Sequence, residues 1–262
     1  MKKLKKLFYT ISMASVTLFS TSCMTETISE LESNERKANI TLEQLQYKIR
    51  LANNTSKIRS FVMEQSLRAS GGQIFILKTS FLKPNYYKIE TYKDSKLLGS
   101  ELYNNKEVWS FDSKTTRYTK LEGKKKQARL ALLQATATDE SNYSSFFSDT
   151  KLSLVDINNK EYYKLVGIIK NNVIPPITIY INKKTSLPEI VQSKISTKKD
   201  GLIDYYSITK SYVNKLGAKF PNDQEIIIGL KTYKYKLEKL DVNVELKIED
   251  FEPKKAWYEP NF

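Results

Sequence analysis

The sequence predicts a mainly β, α+β fold: a single large antiparallel sheet of about ten or eleven strands, with an N-terminal helix and a second helix in mid-chain. Three observations carry this expectation. From Phe61 onward apolar residues recur at period two, and turn signals follow one another without a crossover. A capped helix precedes the strands, and one helix-forming stretch rich in Ala and Leu interrupts them. An open sheet of that size must curl, and a curled sheet closed by helices encloses a cavity.

The helix comes first. Thr41 with Gln44 three residues on forms a capping box, and Leu42, Leu45, Ile49 and Ala52 follow at spacings of three and four, so one face is apolar. Asn53-Asn54 ends it. Phe61, Met63 and Leu67 then share one face of a strand, Ser70-Gly71-Gly72 turns, and Phe75, Leu77 and Phe81 continue the pattern on the next. Tyr87 and Ile89, Leu97 to Tyr103, Val108 to Phe111 and Arg117 to Leu121 extend the meander, with turns at Asn104-Asn105 and Asp112-Ser113-Lys114. Lys124 to Ala137 is the mid-chain helix, and Tyr143 to Phe147 is a short aromatic segment with an exposed look.

Strands resume at Leu152 to Ile157, turn at Asn158-Asn159, and continue through Tyr162 to Ile169, Ile177 to Ile181, Ile190 to Ile195 and Ile203 to Tyr212. Near the end Val242, Val244, Leu246 and Ile248 alternate with polar residues, which predicts a late edge strand. Residues 230–262 are otherwise a Tyr- and Lys-rich C-terminal extension of open role.

Ahead of the fold, Lys2, Lys3, Lys5 and Lys6 precede an uncharged run from Leu7 to Ser22 that stops at Cys23, the single cysteine of the chain. The run is too short and too rich in Ser and Thr to span a bilayer, and it reads as an export signal over residues 1–22. Ser20-Thr21-Ser22-Cys23 resembles the lipobox of bacterial lipoproteins, in which the cysteine is lipidated and becomes the first residue after cleavage. The usual Leu three positions before the cysteine is Ser20 here. The other reading is an ordinary signal peptide cut nearby, which leaves Cys23 as a thiol. Residues 23–40 are then a lipidated N-terminus and flexible tether, since Met24–Asn39 is polar and lacks periodic hydrophobics, and residues 41–262 are the folded domain. Met24 rather than Asp after the cysteine fits, in enterobacterial-type sorting, an outer-membrane protein facing the periplasm.

Composition narrows the chemistry. The chain has 262 residues, a formal charge of +14 and no histidine. Without histidine, Ser-His and Cys-His nucleophilic sites and His-bearing metal sites cannot be built. The scattered glycines make no phosphate-binding loop, and adjacent acids such as Asp139-Glu140 and Glu249-Asp250 point to opposite faces of a strand. No catalytic residue, metal or cofactor is expected. In a cytoplasmic protein the positive charge would suggest nucleic acid; export leaves anionic lipid headgroups, lipopolysaccharide or acidic periplasmic proteins, or a solvated lysine surface with no partner.

One stretch carries a family resemblance. Lys83-Pro84-Asn85-Tyr86-Tyr87, after the glycine hairpin, and Asn105-Lys106-Glu107-Val108-Trp109-Ser110-Phe111 resemble the Arg-Pro-Asn-Leu-Phe and Gly-Lys-x-Leu-Trp-x-Tyr signatures of LolA-type periplasmic lipoprotein carriers. The resemblance is clearest over residues 41–121. It implies an incomplete β-barrel with a helical lid, whose apolar interior receives lipoprotein acyl chains; the related LolB-type acceptor is itself an outer-membrane lipoprotein. Lys83 stands where the family has the lid-contacting Arg, and Tyr87 where it has Phe. The cavity-lining candidates are Phe61, Met63, Phe75, Leu77, Tyr87, Trp109 and Phe111, with Leu130 and Leu133 on the lid; each could equally be packed core. The expected function is acceptance or transfer of lipoproteins during outer-membrane sorting, in exchange with a periplasmic carrier. The alternative is a protein-interaction or envelope-stress module on the same fold, bound to an inner-membrane protein.

Overall fold

A computed structural model describes residues 28–69, 71–104, 107–113, 115–136, 143, 147–170, 175–197 and 201–253. The export signal, Cys23 and Asp139-Glu140 lie outside the described residues. A short helix α1 (Ile28–Leu31) leads into β1 (Glu32–Lys37) and α2 (Leu42–Ala52). Six strands follow: β2 (Ser60–Ala69), β3 (Ile74–Leu82), β4 (Tyr86–Lys93), β5 (Lys96–Asn104), β6 (Glu107–Asp112) and β7 (Arg117–Lys120). Then come α3 (Gly123–Thr136), β8 (Phe147–Ile157), β9 (Lys160–Ile169), β10 (Ile177–Asn182), β11 (Pro188–Thr197), β12 (Gly201–Lys215), β13 (Ala218–Ile228) and β14 (Lys231–Val242).

The strands form one open sheet in the order β1-β8-β9-β10-β11-β12-β13-β14-β2-β3-β4-β5-β6-β7. The mainly β, antiparallel fold is as expected, with fourteen strands in place of ten or eleven. Tight turns suit the hairpins: Asp94-Ser95 and Asn158-Asn159 have positive φ at both positions, the geometry whose twist matches paired strands. Contacts cluster into two compact units, one of Ile58–Leu130 with the chain from Tyr233, the other of Ala131–Thr232 with the chain up to Lys57.

The second unit packs both faces of its strands. The Thr41 capping box forms as expected, with the Gln44 N–H donating to Thr41 Oγ1 and the Thr41 N–H to Gln44 Oε1. Leu45 and Ile49 of α2 bury against Leu154, Tyr163, Leu165, Ile177, Ile179 and Ile181. The two described residues of the aromatic segment are not exposed: Tyr143 and Phe147 are buried in this cluster, their rings stacked with centroids 6.0 Å apart. A Cβ on Gly167 would lie 2.4 Å from the Phe147 ring, so the ring takes the place of a side chain there.

The other face of these strands holds the N-terminal segment, and the tether reading is corrected from Ile28 on. Ile28 and Leu31 pack against Val155, Ile157, Tyr162, Tyr180 and Ile190, and β1 pairs with β8, Glu32 opposite Ile157 and Lys37 opposite Ser153. β1 reads Glu-Ser-Asn-Glu-Arg-Lys and is almost wholly exposed. A charged edge strand docks through its backbone, so it carries no hydrophobic period. Its side chains add ion pairs: Arg36 with Asp156 (3.4 Å) and Glu161 (2.5 Å), and Lys164 with Glu32 (2.5 Å) and Glu35 (3.4 Å).

The C-terminal expectation is corrected too. β14 pairs with β2 and lies inside the sheet. Its Tyr233, Tyr235 and Leu237 alternate with lysines, so a sheet strand reads as a basic tail. The predicted edge strand beyond Val242 does not form. Asn243 has φ 56°, its N–H donates to the Ser60 carbonyl, its Oδ1 accepts from the Arg59 N–H, and Ser60 Oγ donates to the Val244 carbonyl. The chain then closes in a 3-10 turn, Ile248–Phe251, where the Lys247 N–H donates to Asp250. Phe251 is fully buried and meets the Tyr86 ring at 5.8 Å.

Gly167→Ala is expected to cost about 1–3 kcal/mol by overpacking, measured by denaturant unfolding. Combined with Phe147→Ala, the pair should cost less than the sum of the single changes. The docking of β1 should also depend on pH. The Asn34 and Arg36 hydrogen bonds hold the Asp156 carboxyl below its ordinary value, Lys183 and Arg36 do so for Glu161, and Ser153 and Lys164 for Glu35. Depressed carboxylates contribute stability above about pH 4 that is lost on acidification. Burial works against the Lys164 ammonium, yet Glu32 and Glu35 raise its pKa, a contribution lost at strongly alkaline pH. The protection factors of the residue 32–37 amides, that is, exchange corrected for the intrinsic rate at each pH, should therefore be largest between these limits and fall below about pH 4.

Candidate functional site

The candidate site is one face of the strands in the first unit. Side chains directly opposite in an antiparallel pair lie on the same face. The registers pair Val242 with Phe61, Phe61 with Phe81, Phe81 with Tyr87, Tyr87 with Tyr103, and Tyr103 with Val108. Four aromatic rings thus form a row across β2 to β5, with centroids 5.2, 4.7 and 6.1 Å apart. Contacts of this kind contribute roughly 0.5–1.5 kcal/mol each. The next row is Leu240, Met63, Thr79, Ile89 and Glu101, followed by Leu237, Gln65, Leu77 and Thr91.

This face is apolar but incompletely covered. Phe81 is buried, whereas Phe61, Met63, Leu77, Tyr87, Ile89 and Tyr103 are all partly exposed. A filled core would have buried them. Burial raises the Tyr103 hydroxyl pKa, so the phenol stays neutral in an apolar setting.

α3 reaches this same face. Arg129 Nη2 lies 3.1 Å from Glu101 Oε1, each side chain 19% exposed, and Glu101 projects on the aromatic side of β5. Leu130, next to Arg129, is half-buried. The Leu133 side chain lies outside the described residues. Lys83 stands at the end of β3, half-buried, its N–H donating to the Arg59 carbonyl. Arg129 with Glu101 is an ion pair between helix and sheet that no sequence motif marks, because it depends on how α3 meets β5.

The lining candidates divide. Phe61, Met63, Phe75, Leu77 and Tyr87 share the aromatic face, though Phe75 is buried at its far end under Lys93, 5.9 Å from its centroid. Trp109 and Phe111 project to the opposite face, because Tyr103 pairs with Val108 and puts Val108 on the aromatic side. There Lys120, ion-paired with Glu107, lies 5.6 Å over the Trp109 ring. Phe111 packs on Tyr118 at 5.3 Å. That face is also polar: Glu90 is buried with Lys88 3.2 Å away, and burial plus Glu90 push Tyr92 up to about 12. The lining candidates read from sequence leave out Phe81, Ile89, Tyr103 and Val108, although period two gives Phe81 from Leu77 and Ile89 from Tyr87.

Among the described residues, no cluster of three Cys, Asp or Glu side chains could hold a metal ion, and no helix is long and apolar enough to cross a membrane. The face offers apolar area without convergent acid-base groups, an arrangement suited to non-directional burial of an apolar ligand.

No protein-family model and no curated protein matches the sequence. Solved structures do. A LolA superfamily protein from Nitrosomonas europaea superposes with a TM-score of 0.57 at 13% identity, covering 83% of this chain and 99% of that one. The fold is similar to that of this LolA superfamily protein. A DUF1329 family protein from Desulfovibrio piger gives 0.56 at 13% identity, covering 80% and 97%, and a putative outer membrane lipoprotein-sorting protein domain from Vibrio parahaemolyticus gives 0.51 at 12%, covering 79% and 94%. At such identities the LolA likeness is one of fold.

Glu101→Ala should loosen α3 from the sheet. The expected cost is about 1 kcal/mol, read as roughly fivefold faster amide exchange over residues 124–130, with exchange in β2 to β4 unchanged.

Proposed function

We propose that the protein is a lipid-anchored, LolA/LolB-like binding protein of the cell envelope, in the outer membrane facing the periplasm, which accepts or hands over lipoprotein acyl chains without covalent chemistry. The observation that carries the reading is the aromatic face of the first unit. Its six partly exposed apolar side chains, with α3 held beside them by Arg129 and Glu101, offer area that an acyl chain would cover. Each methylene transferred from water contributes about 0.8 kcal/mol, so a chain laid along the row from Phe61 to Tyr103 would bind without any polar partner. Cys23 supplies the anchor, and an anchored protein acts as an acceptor at one membrane rather than as a shuttle. Lys83 and the described part of α3 are the candidates for lid closure, with Leu130 facing the ligand.

The test is transfer of a radiolabelled lipoprotein to the purified protein, with bound lipid read by mass spectrometry. Acceptance by the wild type, and its loss by tenfold or more in Met63→Asp or Tyr87→Asp, is expected, since a charge in an apolar site binds no acyl chain. Circular dichroism establishes that the variants fold. No copurified lipid and no acceptance would sink the proposal. Enrichment of one inner-membrane protein in a pull-down, with no bound lipid, would favour the partner-binding alternative.

A further inference from the structure

The N-terminal segment fixes where an anchor at Cys23 would emerge. Only Met24 to Thr27 separate Cys23 from Ile28, and Ile28 is already packed against the strands of the second unit. Fully extended, that span reaches about 17 Å. α1 precedes Glu32, which pairs with Ile157 at the last turn of β8 before the Asn158-Asn159 tip. The leash therefore leaves the molecule at the tip end of the β8-β9 hairpin.

Two further hairpins end there. The Lys183 N–H donates to the Glu161 carbonyl beside the β8-β9 tip, which places the β10-β11 turn next to it. β12 runs on past β11, with Tyr212 donating to the Pro188 carbonyl, and brings the Leu216-Gly217 turn to the same end. The Lys219 N–H donates to Asn53 Oδ1 over 2.7 Å, so the C-terminal end of α2 joins them. This end carries exposed Lys160, Lys184, Lys215 and Arg50, with Leu51 63% and Leu216 52% exposed among them. Its acids Asp156 and Glu161 are offset by Arg36, at 3.4 and 2.5 Å, and by Lys183, 2.9 Å from Glu161. The net sign is positive.

We propose that this hairpin end of the second unit is a membrane-apposed surface that binds the anionic headgroups of the bilayer to which Cys23 is anchored. The inference rests on the lipidation of Cys23 and adds an orientation to it. An anionic surface potential falls off within about one Debye length, ~8–10 Å in physiological salt. A leash of four residues keeps this end within about two such lengths of the surface even at full extension, so the lysines return to it continually; a sixteen-residue tether, reaching about 55 Å, would let them leave it. Leu51 and Leu216 reach the headgroup layer beside cations that keep their charge in water. Leu202, at the far end of β12, lies about 45 Å away along the strand and faces the periplasm.

The test uses the full lipidated protein in vesicles. Cys23 is the only native cysteine and its thiol is capped by lipid, so Leu51→Cys or Leu202→Cys can be labelled alone with a fluorophore. In phosphatidylglycerol vesicles containing a headgroup quencher, strong quenching at position 51 and its absence at 202 is expected. The quenching at 51 should be lost in Lys160→Glu/Lys184→Glu/Lys215→Glu, while the protein still floats with the vesicles. Equal quenching at both positions, or quenching at 51 that survives the triple change, overturns the proposal. Mass spectrometry of the N-terminal peptide separates the two readings: a peptide without acyl chains removes the anchor itself, whereas an acylated peptide without the positional difference removes the orientation.

Discussion

The register between β2, β3, β4 and β5 is the constraint from which the candidate face follows. Side chains alternate along a strand, so a slip of one residue in any pairing would send that strand's set to the other side. Phe81 shows the consequence. It is buried because Phe61 and Tyr87 flank it on neighbouring strands, and it fixes a continuous row from four residues that are scattered in sequence. The register is held at its end by backbone contacts: the Lys83 N–H on the Arg59 carbonyl at the β2-β3 end, and the Asn243 pair of bonds to Arg59 and Ser60. These turn residues thereby govern which groups meet a ligand, without touching one.

Sequence reading was strong wherever burial is one-sided. The capped helix at Thr41 and the hairpins of β2 to β7 are legible by period, whereas β8 to β11, packed on both faces, are legible as short apolar runs between turns. Polar elements were illegible for the same reason. β1 has no buried face of its own, and β14 alternates tyrosine with lysine, so both lacked the contrast that period detection needs. The aromatic face was half legible: each strand revealed which residues alternate, but not which of its two faces joins that of its neighbour. Trp109 and Phe111 were grouped with Phe61 on that account, and Val108 was passed over. Only the pairing of Tyr103 with Val108 resolves the parity.

The polar network under β1 gives the N-terminal segment a role beyond linking. Lys164 is half-buried, and its ammonium is held by Glu32 at 2.5 Å and Glu35 at 3.4 Å; Tyr180, fully buried, donates to Glu32, and the Gln192 side chain lies 3.0 Å from its hydroxyl. A buried tyrosine and a half-buried lysine both need an acceptor, and Glu32 from the N-terminal segment provides it. Removing that segment would leave both without their carboxylate, a loss larger than that of an exposed pair. Residues 32–37 are thus built into the sheet, and the chain from Ile28 on is not a free tether.

That coupling bears on what an anchored binding protein can do. A long tether lets a domain capture a ligand at a distance and return it to the membrane, trading effective concentration for reach. A short one removes the reach and fixes the orientation. With Ile28 and Leu31 seated against Val155 and Tyr162, the proposed anchor at Cys23 would limit reach to about five residue lengths, so a ligand would have to be delivered to the protein or taken from the same bilayer. An acceptor that receives cargo from a diffusible partner fits this geometry, and a carrier that crosses the envelope does not. The polar stretch after Cys23 reads in the sequence as a flexible spacer; from Ile28 on it is docked as α1 and β1, which under the proposed anchor would hold the protein close to its membrane.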